Sequence, residues 1–213
     1  MRNAQASPTA AGQGQRGFSM LEILISMFIM AVGLLGLVGM QALAQKAEFE
    51  SYQRAQALIL LNDIVDRVNT NRRAATCYAI TTNTSGGYPY LGTTGANRFD
   101  TASFSCPALA STPDLATRAG NDLIEIDAML NGAAEQLGGG QVGAMTGARA
   151  CISYDSGTMA YAVAVAWQGG SGTFSPAGWS NAPAGVANCA LNLYGSDTQR
   201  RVVWSLVRVA SLQ

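Results

Sequence analysis

The amino-acid sequence predicts an α+β protein in which one long N-terminal α-helix packs on a C-terminal antiparallel β-sheet, with a second helix in between. Three observations lead to this fold class. Residues 18–44 are almost entirely apolar, residues 45–73 carry apolar side chains at three- and four-residue spacing, and residues 150–209 contain alternating runs typical of strands. Helical patterns at the start of a chain and strand patterns at its end are characteristic of α+β folds.

The first element is an apolar segment long enough to cross a membrane. Glu22 is the only charged residue among the 23 residues that follow Gly17, and about 20 apolar residues span a bilayer as a helix. Residues 1–17 carry Arg2 and Arg16 and no acid, which predicts that this end stays in the cytoplasm. An uncleaved anchor would explain these features but not Glu22, because a carboxylate in a membrane segment costs roughly 2.5–3.5 kcal/mol at the centre and less near an end.

The helix is predicted to continue beyond the apolar segment as an amphipathic stem and to end near Asn71. No proline interrupts the chain between Phe18 and Arg73. Apolar residues recur on one face of this stem. They are Leu43, Ala47, Ala57, Leu58, Leu61, Ile64, Val65 and Val68.

Three glycines fall at every third position of the apolar segment, at Gly33, Gly36 and Gly39. Each costs about 1 kcal/mol of helix propensity relative to alanine. Three explanations are open: close packing against another helix, a weak point where the helix bends or melts, or glycines that an apolar span simply tolerates.

The remaining residues predict a mixed head. Residues 76–113 are a connection rich in Thr, Ser, Gly and Pro with room for a short strand, and strands are predicted at 150–154, 159–167 and 201–209. A second helix is predicted to begin at Pro113 and to end at the glycines 138–140. Its apolar face consists of Ala116, Ala119, Leu123, Ile126, Leu130, Ala133 and Leu137.

Composition excludes several classes of function. The net charge is zero, with 13 basic and 13 acidic residues, which argues against nucleic-acid binding. Histidine is absent, so Ser-His-Asp or Cys-His catalysis and histidine metal sites are excluded, and we expect no cofactor or metal. A membrane-anchored periplasmic enzyme is the alternative from another class, with Asp122, Glu125 and Asp127 as its acid/base candidates. The spacing of these carboxylates favours a solvated helix face instead.

The stretch GFSMLE at residues 17–22 resembles the type III signal of type IV pilins and of the related type II secretion pseudopilins. This resemblance implies that a prepilin peptidase cuts between Gly17 and Phe18 and then methylates the new N-terminus of Phe18. It also implies that Glu22 pairs with the amino group of Phe18 in a neighbouring subunit and sets the register between subunits. A carboxylate in an apolar filament core is costly unless it has such a partner.

The resemblance implies a pilin-like organisation in four parts. Residues 1–17 are a cleaved leader, residues 18–44 a transmembrane and filament-core helix, residues 45–73 the amphipathic stem, and residues 74–213 a periplasmic globular head. The chain would sit in the bacterial inner membrane as a single-pass protein before assembly.

A finer resemblance, to minor pilins of the PilV family (type IV pilus modification proteins), is carried by residues 17–41, the helix 58–73, AVAVAWQGG at 162–170 and RRVVWSLVRV at 200–209. It implies a non-enzymatic role in the priming complex that starts pilus assembly and ends at the pilus tip on the cell surface, supporting adhesion and twitching motility. Implied partners are other minor pilins (PilW, PilX, PilE and FimU types), a PilY-type tip adhesin, the prepilin peptidase and the inner-membrane assembly platform. A minor pseudopilin of a type II secretion system is the alternative.

The four cysteines, Cys77, Cys106, Cys151 and Cys189, form no CxxC pair and follow an export segment. An even number in such a context predicts two disulfides rather than free thiols. Three pairings are possible, and chain order alone leads us to expect Cys77–Cys106 and Cys151–Cys189. The first bond would close the long connection, with a stabilisation of about 3–4 kcal/mol. The second would resemble the bonded C-terminal loop of pilins.

Overall fold

The computed structural model describes residues 17–80, 88–133, 136–138, 140–141, 145–155 and 158–209. The chain forms two compact units, residues 1–45 and 46–213. Helix α1, Met20–Thr70, runs from the first unit into the second, so its ends lie within two residues of the prediction. Apart from Gly17, the predicted leader lies outside the described residues.

The described part of the second unit contains three further α-helices and six strands. The helices are α2 Ala75–Tyr78, α3 Pro113–Leu130 and α4 Ala184–Ala187. The strands are β1 Leu91–Gly92, β2 Gln136–Leu137, β3 Gly140–Gln141, β4 Arg149–Asp155, β5 Ala160–Gln168 and β6 Arg200–Val207. The three long strands are the three that the sequence predicts, and β1 is a short strand within the long connection.

Four of the strands form one antiparallel sheet in the order β1-β4-β5-β6, and β2 and β3 form a separate hairpin. Strand β5 is the centre of the sheet, and its residues 160–167 are all buried. Ala164 lies opposite Cys151 of β4 and opposite Trp204 of β6. A long N-terminal helix, further helices and an antiparallel sheet confirm the predicted α+β, pilin-like architecture.

The core of the second unit lies on the face of the sheet that α1 and α3 cover. Tyr161, Val163, Val165 and Trp167 of β5 belong to it, as the alternation in the sequence predicts. The helices contribute Ala57, Leu61, Ile64 and Val68 from α1, and Leu123, Ile126 and Leu130 from α3. Each large aliphatic side chain buried in this way stabilises the fold by about 1.5–3 kcal/mol.

The opposite face of the sheet is covered by α4 and by the segment that leads to β6. Small alanines of β5 at positions 162, 164 and 166 face this second cluster, together with Val186 and Tyr194. Gly185 of α4 lies directly against Ser153 of β4, since a Cβ at position 185 would stand 2.0 Å from the Ser153 hydroxyl oxygen. Small residues on both sides therefore allow α4 to approach the sheet closely.

The predicted end of the second helix, at glycines 138–140, is wrong. Helix α3 ends at Leu130, and Gly132 follows in the left-handed region with a φ of 81°. The N–H of Gly132 donates to Met129 O and the N–H of Ala133 donates to Ala128 O, at 3.0 Å each. These are the two bonds of a Schellman cap. Asn131 and Gly132 therefore end the helix, although the apolar pattern in the sequence continues beyond them.

The predicted apolar face of the stem is buried only in its second half. Among the predicted positions, Ala57, Leu61, Ile64 and Val68 are buried, whereas Leu43 and Leu58 are exposed. The buried residues of α1 begin at the polar Gln53. From Ala57 onward the predicted spacing marks a buried face at positions 57, 61, 64 and 68, whereas Leu58 shows that an apolar residue on a helix need not be covered within its own chain.

Candidate processing and assembly site

The residues that the sequence singles out for processing and assembly lie at the start of α1. The backbone N–H of Leu21 donates to Ser19 Oγ at 3.3 Å, so Ser19 acts as an N-cap. Glu22 stands three residues later, at the spacing of a capping box and where the helix dipole favours a negative charge. This local signal fixes where the helix begins. The sequence analysis did not use it, although residues 19–22 have the pattern S-x-x-E.

The peptide bond between Gly17 and Phe18 precedes the helix and is accessible. The Phe18 side chain is 81% exposed. A Cβ built on Gly17 would have no atom within 4 Å. A peptidase can therefore reach this bond without unwinding α1, and nothing in the described chain itself requires glycine at position 17.

The carboxylate of Glu22 is exposed, and no described side chain of this chain forms an ion pair or hydrogen bond with it. It is also the one carboxylate between residues 18 and 44. Transfer of an ionised carboxylate to an apolar environment is costly without a paired cation. Any compensating group in such an environment must therefore come from outside the described residues.

Helix α1 is long and apolar enough to cross a membrane. Its most apolar 18-residue window has a mean hydropathy of 2.5, and it is the one such helix in the described part of the chain. The span and the N-terminal position of this helix are consistent with membrane anchoring.

The glycines of the apolar segment leave a hollow on the surface of α1. Side chains of Leu37, Met40 and Ala44 line it together with Gly33 and Gly36, and its volume is about 600 Å³. The helix is unbroken here, and a Cβ at position 33, 36 or 39 would meet no atom within 4 Å. Packing within the described chain therefore gives no reason for glycine at these positions.

In the second unit, a cluster of charged groups joins α1 to α3. The Arg67 guanidinium contacts Asp63 at 2.7 Å, Asp122 at 3.1 Å and Glu125 at 2.6 Å. Burial alone would lower the pKa of Arg67, but its hydrogen bonds to Glu125 and Asp63 outweigh burial, and the pKa is raised. This cluster holds α1 against α3.

Tyr78 extends the cluster into the core, because its hydroxyl donates to Asp122. Burial raises the pKa of Tyr78, and the hydrogen bond to Asp122 raises it further. Asp127 is 7% exposed, accepts a bond from the N–H of Gly92 at 2.8 Å and pairs with Arg98. The prediction of a solvated face therefore holds for Glu125 and is wrong for Asp122 and Asp127.

These contacts also bear on the enzyme alternative. Asp122, Glu125 and Asp127 are each engaged by an arginine and link α3 to its neighbours. Within the described ranges, no cluster of three or more His, Cys, Asp or Glu side chains has the composition of a metal site. The three carboxylates thus have structural partners.

Two disulfides tie the head together. Cys77 of α2 bonds to Cys106, with the sulfurs 2.00 Å apart, and Cys151 of β4 bonds to Cys189, with the sulfurs 2.01 Å apart. The first bond joins the end of the stem region to the segment before α3. The second fastens the sheet to the segment that leads to β6.

Comparison with known proteins gives one match. Residues 12–38 match the prokaryotic N-terminal methylation motif. No match was found among curated proteins or among solved structures. The match includes Gly17, Phe18 and Glu22, and it supports a type IV pilin or a pseudopilin. It points to a structural pilin rather than an enzyme, in a pilus or secretion assembly with membrane association and prepilin processing.

Proposed function

We propose that this chain is a minor pilin of the type IV pilus, of the PilV kind, and part of the minor-pilin priming complex that starts pilus assembly and ends at the tip. The observation that carries the proposal is the methylation motif at residues 12–38 on a helix that can cross a membrane. The dispersed resemblance at residues 58–73, 162–170 and 200–209 supports the finer assignment.

In this proposal the chain has the four parts that the resemblance implies. The leader 1–17 is removed after Gly17, residues 18–44 anchor the subunit and later enter the filament core, residues 45–73 are the stem, and residues 74–213 are the periplasmic head. Phe18 becomes the methylated N-terminus. The exposed bond at Gly17–Phe18 suits such cleavage.

Glu22 then supplies the register. Its carboxylate has no partner among the described side chains, and the amino group of Phe18 in a neighbouring subunit would be a suitable cation. The pairing compensates a charge that would otherwise be desolvated without a partner. The remaining partners would be other minor pilins (PilW, PilX, PilE and FimU types), a PilY-type tip adhesin and the inner-membrane platform.

The N-terminus of the mature protein tests this function directly. In cells with the prepilin peptidase, we expect the purified protein to begin at N-methylated Phe18, and in cells without it to keep residues 1–17. A Gly17→Leu variant should remain unprocessed, whereas Gly17→Ala, which keeps a small residue, should be processed. Normal maturation of Gly17→Leu would contradict the proposal.

A pseudopilin of a type II secretion system would give the same N-terminus, so a second readout is needed. For a minor pilin, deletion of this gene should reduce surface pili and twitching motility while secretion of exoproteins continues. The reverse pattern, together with neighbouring secretion genes, would assign the chain to the secretion system.

A further inference from the structure

Among the described residues, the sheet of the second unit ends at β6, and one edge of that strand pairs with no other strand. Strand β6 pairs with β5 along its whole length, from Arg200 opposite Gln168 to Val207 opposite Tyr161. On its other side, which we call the outer edge of β6, no strand of the described chain pairs with it. An unpaired edge presents N–H and C=O groups that can pair with another chain.

Two hydrogen bonds show which residues point to the outer edge. The N–H of Gly169 donates to Gln199 O at 2.8 Å, whereas the N–H of Gln168 donates to Thr146 O, on the β4 side, at 2.9 Å. Bonded pairs alternate along an antiparallel ladder, so the odd-numbered residues of β6 bond to β5. The residues that direct their N–H and C=O groups to the outer edge are therefore Val202, Trp204 and Leu206.

The outer edge opens into a groove whose lining mixes apolar and charged side chains. A space of about 560 Å³ lies between Ala47 and Arg54 of α1 and Val203 of β6, and Trp179 also lines it. A neighbouring hollow of about 400 Å³ lies between Trp179 and Trp204. A fifth strand placed here would contact α1 with one row of side chains and the two tryptophans with the other.

The charges around the outer edge are unbalanced and positive. Arg201 contacts Glu50 at 3.4 Å and Arg200 contacts Asp197 at 2.6 Å, so these arginines have partners. Arg54 lines the groove and Arg208 follows the strand, both are exposed, and neither forms an ion pair with a described residue. Unpaired positive charge therefore stands in the groove at Arg54 and just beyond the end of β6 at Arg208.

This charge pattern selects the occupant. A second copy of the chain, paired edge to edge through an antiparallel β6, would bring Arg208 of one copy towards Arg54 of the other. Like charges opposite each other destabilise such a pair. A segment with carboxylates at its ends would neutralise Arg54 and Arg208, and an alternation of apolar side chains would fill the groove.

We propose that the outer edge of β6 receives an extended segment of a different subunit, which adds as a fifth antiparallel or parallel strand and carries acidic residues facing Arg54 and Arg208. Main-chain hydrogen bonds to Val202, Trp204 and Leu206 give affinity in this mode, and the pockets beside the strand give specificity. The inference rests on the proposed function for the source of the partner, namely another subunit of the same assembly.

The test uses the full-length chain in its own cells, with the photoreactive residue benzoylphenylalanine in place of Leu206. The crosslinked partner peptide is identified by mass spectrometry. Val202→Pro removes one outward N–H without removing a bond to β5, because proline is accepted at such edge positions. Val202→Thr keeps that N–H and is the matched control. Melting followed by tryptophan fluorescence checks that both variants fold.

We expect irradiation to crosslink one segment of a different protein that contains Asp or Glu. The yield should persist in Val202→Thr and fall at least about tenfold in Val202→Pro, because a strand hydrogen bond is lost and the proline ring blocks its neighbours. If Val202→Pro does not fold, Arg54→Glu should lower the yield and Arg54→Lys should preserve it.

Several results would overturn the inference: no crosslink, a crosslink to a second copy of this chain, a partner segment without acidic residues, or a yield that folded Val202→Pro leaves unchanged. The N-terminus of the same protein is sequenced in parallel. An unprocessed N-terminus would count against the proposed function, whereas normal processing with one of these results would count only against the fifth strand.

Discussion

At the scale of single residues, Glu22 admits two physical explanations that the structure makes separable. Its carboxylate stands at the third helical position after Ser19. There it can complete a capping box and interact favourably with the positive end of the helix dipole. It is also an exposed charge without a described partner in an apolar segment, which is what pairing between subunits requires. The first explanation concerns one chain, and the second concerns the filament.

Glu22→Gln distinguishes these explanations, because glutamine also completes a capping box but carries no charge. If the charge sets the register, Glu22→Gln should be processed and inserted normally but be lost from the sheared pilus fraction, as should Glu22→Ala. If capping is the role, Glu22→Gln should assemble and Glu22→Ala should not. Immunoblots of membrane and sheared fractions, with each variant as the only copy, give the answer.

A second residue-scale feature is the buried phenol of Tyr194. Burial raises its pKa to about 12, although contacts with Arg149 act in the opposite direction. Its hydroxyl donates to Gly147 O at 2.8 Å, and its ring contacts the Arg149 guanidinium, which the Tyr90 ring also contacts. The buried Arg149 guanidinium is therefore held by two aromatic rings and by backbone carbonyl oxygens instead of by an ion pair.

The raised pKa of Tyr194 predicts a loss of stability in alkali. Above pH 10 an exposed tyrosine in the unfolded chain ionises while the folded phenol stays neutral up to about pH 12. The contribution of Tyr194 to the free energy of unfolding is therefore complete below pH 10. Between pH 10 and about pH 12 it declines by about 1.4 kcal/mol per pH unit. In urea titrations of the full chain, Tyr194→Phe should show a shallower decline than the parent chain. Equal slopes for Tyr194→Phe and the parent chain would contradict the prediction.

At the scale of elements, the end of α3 shows how a local signal overrides a longer pattern. In the sequence, Ala133 and Leu137 continue the apolar face of the helix. The chain nevertheless leaves the helix at Asn131, because Gly132 adopts a φ of 81° that other residues rarely adopt. The residues 140–141 instead pair with 136–137 in a short hairpin.

Gly132→Ala should therefore destabilise the head, since a left-handed alanine costs roughly 1–2 kcal/mol. We expect the melting temperature, followed by tryptophan fluorescence, to fall by about 2–8 °C for a chain of this size. Gly170→Ala is the matched control, because position 170 is outside the left-handed region and its Cβ would come no closer than 3.7 Å to Glu50. Equal melting temperatures for the two variants would contradict the role assigned to Gly132.

The sequence predicts well those elements in which the spacing of apolar residues corresponds to side chains buried within the same chain. Strand β5 alternates Tyr, Val and Trp with alanine, and the structure places these two sets on opposite faces. The cap at Gly132 and the partners of Asp122 and Asp127 could not be read in this way, because they depend on one backbone angle and on residues distant in the chain. The start of α1 was predictable to within two residues, because the apolar run begins at Phe18 and the helix at Met20.

At the scale of the whole molecule, the two units differ in how far residues of the same chain cover their apolar side chains. In the first unit the apolar side chains are exposed and the glycines have no neighbour within the described chain. The second unit has a buried core on both faces of its sheet, two disulfides and ion pairs at Arg67, Arg98, Arg200 and Arg201. A membrane or a filament would supply the cover that the first unit lacks.

The two disulfides join cysteines that are consecutive in the chain, Cys77 to Cys106 and Cys151 to Cys189. If the proposed periplasmic head crosses the inner membrane from its N-terminal side, the first pair emerges completely before the third cysteine does. An oxidase that joins thiols in their order of exit then makes the native bonds directly, with no wrong bond to exchange. We therefore expect cells that lack a disulfide isomerase to produce this head as well as wild-type cells do, while cells that lack the oxidase do not.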